Sequence, residues 1–236
     1  MKQGREFFRT YKNVFDASTI NSIWSLITHN KIEGLESPIK IGKESNVFSA
    51  LTKEHKRLAI KIYRISVCDF FKMEKYLAMD SRFRFTYRRR QIVLVWAQRE
   101  FKNLLKAYES KVSVPKPLAI KDNVIVMEFI GNRHPQIPVS ARMLKDDWGD
   151  EKMPDLVIKE MKKLYKTGLV HGDLSEFNIL NRNNKPVIID LSHAIPVLAQ
   201  SSRELLERDI ANVCRFFNKK GFKLNPEEVL KYIKGS

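Results

Sequence analysis

Two short motifs carrying an aspartate limit most tightly what this chain can fold into. The first is Leu169-Val170-His171-Gly172-Asp173-Leu174-Ser175-Glu176-Phe177-Asn178-Ile179-Leu180, where an asparagine follows an aspartate by five residues and leads into a short apolar strand. The second is Val187-Ile188-Ile189-Asp190, an apolar strand that ends in a carboxylate twelve residues beyond Asn178. A solvated loop can carry Asp and Asn at such a distance, and a strand-end Asp can be a mere turn cap. The two motifs in succession weigh against both readings.

The Asp173–Asn178 spacing is that of a kinase catalytic loop. Asp173 would face the hydroxyl or water that attacks a terminal phosphate, and Asn178 would turn back to hold a metal on the other side of it. Asp190 stands where a second metal ligand is required, and hard oxygen ligands suit Mg²⁺. Upstream, Leu58-Ala59-Ile60-Lys61-Ile62-Tyr63 places one lysine inside an apolar strand. A buried ammonium is costly unless paired, so Lys61 calls for a carboxylate, and Glu100 on the following helix is the natural one. Lys61 would then contact the α- and β-phosphates; the alternative is a lysine snorkelling from an edge strand.

Weaker signals surround these. Gly42-Lys43-Glu44-Ser45-Asn46-Val47 forms a turn whose backbone amides, near Ser45, could cover phosphates, although it has one glycine where a glycine-rich loop has three. Val124-Ile125-Val126-Met127-Glu128-Phe129-Ile130 is either a plain core strand or one whose last backbone groups meet an adenine edge. His171 reads as a residue that orients the catalytic loop by hydrogen bonding, and His193 as one without a special task.

Along the chain, residues 1–36 read as a helical extension, with Ile20, Ile23, Trp24 and Ile27 at helical spacing behind Asp16 and Ser18. Short strands follow at Ile39–Ile41, Asn46–Leu51 and Leu58–Tyr63, then a helix over about Gln91–Ala107 and strand character from Val112 to Phe129. Gly131–Pro138 is rich in turn formers. The second half reads mostly as helix: one opens at Pro154 and stops at Gly168, one starts at a capping box over Ser201–Glu204, and one starts at Asn225. The result is an α+β plan with a β-rich N-lobe (37–130), a helical C-lobe (131–236) and a cleft between them.

No apolar run approaches the roughly 20 residues of a membrane span, and Met1-Lys2-Gln3-Gly4-Arg5 opens no signal segment. Cys68 and Cys214 lie far apart and read as free thiols of a reducing compartment. A cytoplasmic protein without membrane contact is expected. The net charge of +16 is uneven, since residues 51–111 hold sixteen Lys/Arg against six Asp/Glu. Within them, Arg82-Phe83-Arg84-Phe85 and Tyr87-Arg88-Arg89-Arg90 interleave basic and aromatic residues, a composition suited to nucleic acid or simply to a solvated basic surface.

With these features in order, the chain resembles the RIO kinases, an atypical serine/threonine protein-kinase family, over nearly its whole length. Gly42–Phe48, Ile60-Lys61-Ile62-Tyr63-Arg64, Trp96-Ala97 with Glu100, and His171–Asn178 carry the resemblance. Phe83-Arg84-Phe85 and Trp96-Ala97-Gln98-Arg99-Glu100 place it nearest the Rio-one branch. The winged-helix domain of the second branch does not fit in the short N-terminal segment. The resemblance implies a trimmed bilobal protein-kinase-like fold that uses ATP with Mg²⁺ or Mn²⁺. Asp173 would be the catalytic aspartate, Asn178 and Asp190 the metal ligands, Lys61 the phosphate lysine, and the Glu128 and Ile130 backbones the adenine contacts. It further implies an aspartyl-phosphate on Asp190, ATPase activity beside protein phosphorylation, and work on the maturing small ribosomal subunit and its RNA.

Asp190 is followed by Leu191-Ser192 where ordinary protein kinases have Phe-Gly, and no Ala-Pro-Glu signal occurs among the 46 residues after it. A full activation segment and peptide-docking subdomains are therefore not expected, and a protein substrate must be held in some other way. Two competing readings stay open. One is a small-molecule phosphotransferase of the aminoglycoside or choline kinase type, which shares His-Gly-Asp but has His where this chain has Ser175-Glu176-Phe177. The other is a non-catalytic RNA-binding assembly factor.

Overall fold

A computed structural model describes residues 15–66, 68–131 and 139–235. Strands β1 (Gly34–Ile41), β2 (Ser45–Leu51), β3 (Arg57–Tyr63), β4 (Pro117–Lys121) and β5 (Val124–Glu128) form an antiparallel sheet in the order β1-β2-β3-β5-β4. β3 lies at its centre, and every residue from Leu58 to Tyr63 is buried. That placement rules out the edge-strand alternative for Lys61. The turn from β1 to β2 is closed by Gly42 N–H donating to Ser45 O at 3.0 Å. A Cβ on Gly42 would come within 2.9 Å of that same oxygen, so the turn requires glycine.

One face of the sheet is covered by α1 (Ala17–Thr28), whose first turn is capped by Asp16 accepting from Thr19 N–H at 3.0 Å. Ile20, Ile23 and Leu26 pack on Phe48, Ile60, Ile62, Val124 and Val126. Trp24, read with the apolar stripe, instead points outward at 40% exposure. The first strand begins at Gly34, earlier than Ile39, and the part of the helical extension before residue 15 lies outside the described residues.

Across the other face run α2 (Phe70–Ala78) and α3 (Arg89–Glu109). α3 exceeds the expected span by two residues at each end. α2 was not legible, because its nine residues carry only Met73, Tyr76 and Leu77 to the core, too few for a helical period to stand out.

The second half is less purely helical than its sequence suggests. Beside α4 (Met153–Lys166), α5 (Ser202–Asn218) and α6 (Pro226–Lys234), it holds two small sheets. These are β6 (Arg142–Met143), β8 (Ile179–Asn181) and β9 (Pro186–Ile188), and the pair β7 (Leu169–Val170) with β10 (Ile195–Pro196). Strands of two or three residues cannot display a period of two. Gly168, at φ +82°, follows α4, and Asn225 caps α6 by accepting from Glu227 N–H. The capping box at Ser201 does not form: Ser201 makes no side-chain cap bond, and the neighbouring Ser202 hydroxyl turns to Val197 O. Of the Gly131–Pro138 stretch, Gly131 pairs with Ser140 and residues 132–138 lie outside the described ones.

Cys68 and Cys214 are both buried free thiols. Among the described residues no helix is long and apolar enough to cross a membrane.

Candidate active site

A cleft of about 500 Å³ is lined by Ser45, Lys61, Glu100, Glu128, Ile130, Asn178 and Asp190 among others. β3 delivers Lys61 into it, and α3 delivers Glu100 from behind. Lys61 Nζ donates to Glu100 Oε1 at 2.7 Å and to Asp190 Oδ1 at 2.8 Å. Lys61 and Glu100 are only 5% and 2% exposed. The second oxygen of Glu100 accepts from Tyr63 Oη at 2.5 Å, so neither of its oxygens is free to move off the lysine. Burial pushes the Lys61 ammonium toward losing its proton, but the adjacent Asp190 and Glu100 charges more than reverse this and hold it above its usual range. Burial raises the Glu100 carboxyl despite the Lys61 charge, and raises the Tyr63 phenol as well.

Asp190 adopts a left-handed backbone, φ 62° and ψ 63°, a conformation that costs a non-glycine residue about 1–3 kcal/mol unless its surroundings impose it. Ser192 Oγ donates to Asp190 Oδ1 at 2.8 Å, the same oxygen that Lys61 holds. Both bonds fall on Oδ1 of a residue that lines the cleft. Burial favours the neutral acid, yet Lys61 and Ser192 together keep the Asp190 carboxyl well below the usual carboxylate range.

Asn178 Nδ2 donates to Asp173 O at 2.8 Å, so the amide folds back over the loop and its Oδ1 stays available. Asp173 itself lies outside the cleft wall, its side chain 50% exposed. His171 locks the loop from beneath, with Nε2 3.0 Å from Ile189 O and Nδ1 accepting from Asp173 N–H at 3.3 Å. At Gly172, φ is +76° and a Cβ would lie 2.8 Å from His193 O, so only glycine passes there. Ser45 lines the cleft at the turn it helps close. At the opposite wall, Glu128 N–H already donates to Lys116 O and Ile130 O already accepts from Ala141 N–H.

Sequence reasoning missed several residues. His193 is buried edge-on between Tyr76 and Trp96, with ring centroids 4.7 and 5.2 Å away, and its Nδ1 is 3.2 Å from Ser192 Oγ and 4.0 Å from Asp173 Oδ2. Burial, aided by Lys72, pushes its pKa down to about 3, so it is neutral. Asp209 on α5 accepts from Gly172 N–H and Leu174 N–H, both at 2.8 Å, and so holds the His171–Asn178 loop on both sides of Asp173. Its signal was a lone acid on the apolar face formed by Leu205, Leu206, Ile210 and Val213. Of the basic stretch, Arg82 turns inward to Asp80 and Asn103, and Phe83 is buried. Arg84, Arg88, Arg89 and Arg90 are exposed, and Tyr87 is 80% exposed.

Burial pushes the Asp209 pKa up to about 6. The folded state thus holds this proton more tightly than the unfolded chain does, and ionisation of Asp209 removes stability as pH rises from about 4 to about 6. Asp209→Asn has nothing to ionise. The wild-type-minus-variant difference in unfolding free energy, from urea melts at pH 4.5 and pH 7, should therefore fall on going to pH 7. A difference that does not change with pH would contradict the assignment.

The two-lobed fold, with a buried lysine–glutamate pair beside Asp190 and an asparagine at one cleft, defines a phosphotransferase of the protein-kinase class. The comparisons with known proteins then narrow it. Residues 46–229 match the family model of the RIO domain, and the chain belongs to the RIO family of atypical protein kinases. It is 39% identical over 232 residues to the RIO-type serine/threonine-protein kinase Rio1 of Methanocaldococcus jannaschii, covering 98% of this chain and 79% of that one. To the Haloferax volcanii Rio1 it is 36% identical over 231 residues, covering 97% and 78%. Crystal structures of the Rio2 kinase from Chaetomium thermophilum, one of them an ADP/Mg²⁺-phosphoaspartate complex, superpose with TM-scores of 0.69 and 0.67 at 22% and 21% identity. They cover 89% of this chain, which spans 66% and 64% of theirs, and at that identity they bear on the fold alone.

Proposed function

We propose that this chain is an ATP-dependent RIO-type serine/threonine kinase and ATPase that draws the γ-phosphoryl group toward Asp190. The observation that carries this reading is the three-way contact of Lys61 with Glu100 and Asp190 at the wall of the cleft. A lysine so held presents its charge at one fixed point, where the α- and β-phosphates of a nucleotide would lie. Glu128 O and Ile130 N–H are the backbone groups left to address an adenine, and the turn amides near Ser45 would close over the phosphates. On this reading the lobes meet near residue 131, and the protein works in the cytoplasm.

Among the described residues no three His, Cys, Asp or Glu cluster as a self-contained metal cage. The Asn178 and Asp190 oxygens fit instead a hard cation that keeps its waters and binds through nucleotide phosphates. Mg²⁺ held there, or Mn²⁺, would neutralise charge developing on the transferred group. Asp190 lines the cleft, and its Oδ2 makes neither of the bonds that occupy Oδ1, which favours it as the atom that receives the γ-phosphoryl group as ADP leaves. Asp173, its side chain half-exposed, orients the attacking water or hydroxyl on this reading. The exposed Arg84 and Arg88–Arg90 suit a phosphate backbone, in line with the small ribosomal subunit and its RNA as partner.

The test is incubation with γ-labelled ATP and Mg²⁺, with and without hydroxylamine, for wild type and Asp173→Ala. Expected are phosphate release and a protein-bound label that hydroxylamine removes, with release cut about 10²-fold or more in the variant. Label and release that survive the substitution unchanged would leave the proposal without its site. Turnover of a small alcohol or aminoglycoside in place of these would favour the small-molecule phosphotransferase reading.

A further inference from the structure

Helix α3 attaches itself to the Asp190 turn a second time, one residue before Glu100. Arg99 is completely buried. Its Nη1 donates to Ser192 O at 2.9 Å and its Nη2 to Ala194 O at 3.0 Å, while Nε donates to Asp80 Oδ2 at 3.1 Å. One helical turn on, Asn103 Nδ2 donates to Leu191 O at 3.1 Å and Ala194 O at 2.9 Å. The carbonyls of Leu191, Ser192 and Ala194 are thus all met from one stripe of one helix.

A buried guanidinium is tolerated only with its donors engaged and its charge matched. Asp80 supplies the charge and is itself buried, and the Arg99 guanidinium also lies 5.1 Å from the Trp96 ring and 5.8 Å from the Tyr76 ring. The purchase of these bonds is backbone only: they read no side chain of the turn and fix only its path. That path begins at Asp190, whose left-handed conformation persists only where neighbours impose it. Lys61 and Ser192 hold the Asp190 side chain, whereas Arg99 and Asn103 hold the main chain just beyond it.

We infer that Arg99 and Asn103 are positioning residues that pin the Leu191–Ala194 turn to α3 and so keep the Asp190 carboxylate aimed into the cleft. Because Glu100 sits on the same helix, the lysine-holding helix and the Asp190 turn form one rigid body. Neither can swing out alone, as the corresponding elements do in kinases that are switched by moving them. This inference rests on the proposed role of Asp190 in phosphoryl transfer.

The experiment uses the full chain as Arg99→Met and Asn103→Leu, with Asp190→Asn as reference. Hydrogen exchange is followed by mass spectrometry, beside melting temperature, binding of a fluorescent ADP without metal, and turnover of labelled ATP. Arg99→Met is expected to fold poorly, and Asn103→Leu, which removes two neutral bonds, keeps the test open. In Asn103→Leu, exchange in peptides spanning 190–196 should rise at least about tenfold while those spanning 172–178 stay unchanged. Turnover should fall about tenfold, with metal-free ADP binding within twofold of wild type. Exchange at the wild-type rate across 190–196, or a uniform rise over the whole chain, overturns the inference. Faster local exchange with full turnover also overturns it if Asp190→Asn is inactive. If Asp190→Asn is fully active too, it is the role of Asp190 that has failed.

Discussion

Asp190→Asn should lower ATP turnover by about 10³-fold while leaving the fold intact. The substitution keeps the shape of the side chain and removes one charge. Lys61 retains Glu100 at 2.7 Å, so the lysine stays where it is. What is lost is the negative charge of a side chain that lines the cleft, together with the proposed capacity to hold a hard cation or accept a phosphoryl group there. Deleting one preorganised charge contact at a transferring phosphate costs on the order of 10²–10³-fold, and losing the metal's seat adds to it. Steady-state phosphate release checks the rate, and circular dichroism with metal-free ADP binding checks that the site is otherwise preserved. Turnover within tenfold of wild type would remove Asp190 from the chemistry.

Lys61→Met is expected to damage both rate and stability, and by separable routes. Turnover should fall about 10²–10³-fold, because the cation that joins Glu100 to Asp190 disappears. Stability should fall by about 3–5 kcal/mol at pH 8, since Glu100 is then a buried carboxylate without its counter-charge. Burial already raises the Glu100 carboxyl, and removing Lys61 removes the charge that opposes this rise. A carboxyl whose folded pKa is raised favours the fold below its unfolded pKa of about 4.3 and loses that contribution as pH rises through the folded value. The variant should therefore regain stability on acidification, and Lys61→Met/Glu100→Gln should regain most of it at pH 8 without regaining turnover. Urea melts of the single and double variants decide the matter. A double variant as unstable as the single one would show that the loss has another source.

Much of the site was legible because its motifs are local. Within Asp173–Asn178 the bond from Asn178 Nδ2 to Asp173 O spans five residues, so spacing alone places both groups. Lys61 was legible for a different reason: an ammonium in the middle of an apolar strand demands a carboxylate wherever the fold finds one. Asp209 offered a fainter sign, a single charge on an otherwise apolar helix face, and Arg99 a fainter one still, since buried Glu100 and Asn103 share its helix. Nothing in the chain near Asp209 names Gly172 and Leu174, more than 30 residues away, as its partners. The short strands β8 and β9 were legible as the apolar runs beside Asn178 and Asp190, whereas β6, β7, β10 and the nine-residue α2 were lost because elements of that length carry no readable period.

The order of motifs along the chain by itself determined the family, the kinase-like plan and the residues that face one another across a single turn. Only the tertiary structure decided that Lys61 is shared between two carboxylates, that Asp173 stands outside the cleft wall, and that α3 grips the Asp190 turn through Arg99 and Asn103. The physical reason is one of range. Turns and capping bonds are settled by neighbours a few residues apart, whereas a buried charge takes whichever partner the packing of distant elements brings within 3 Å.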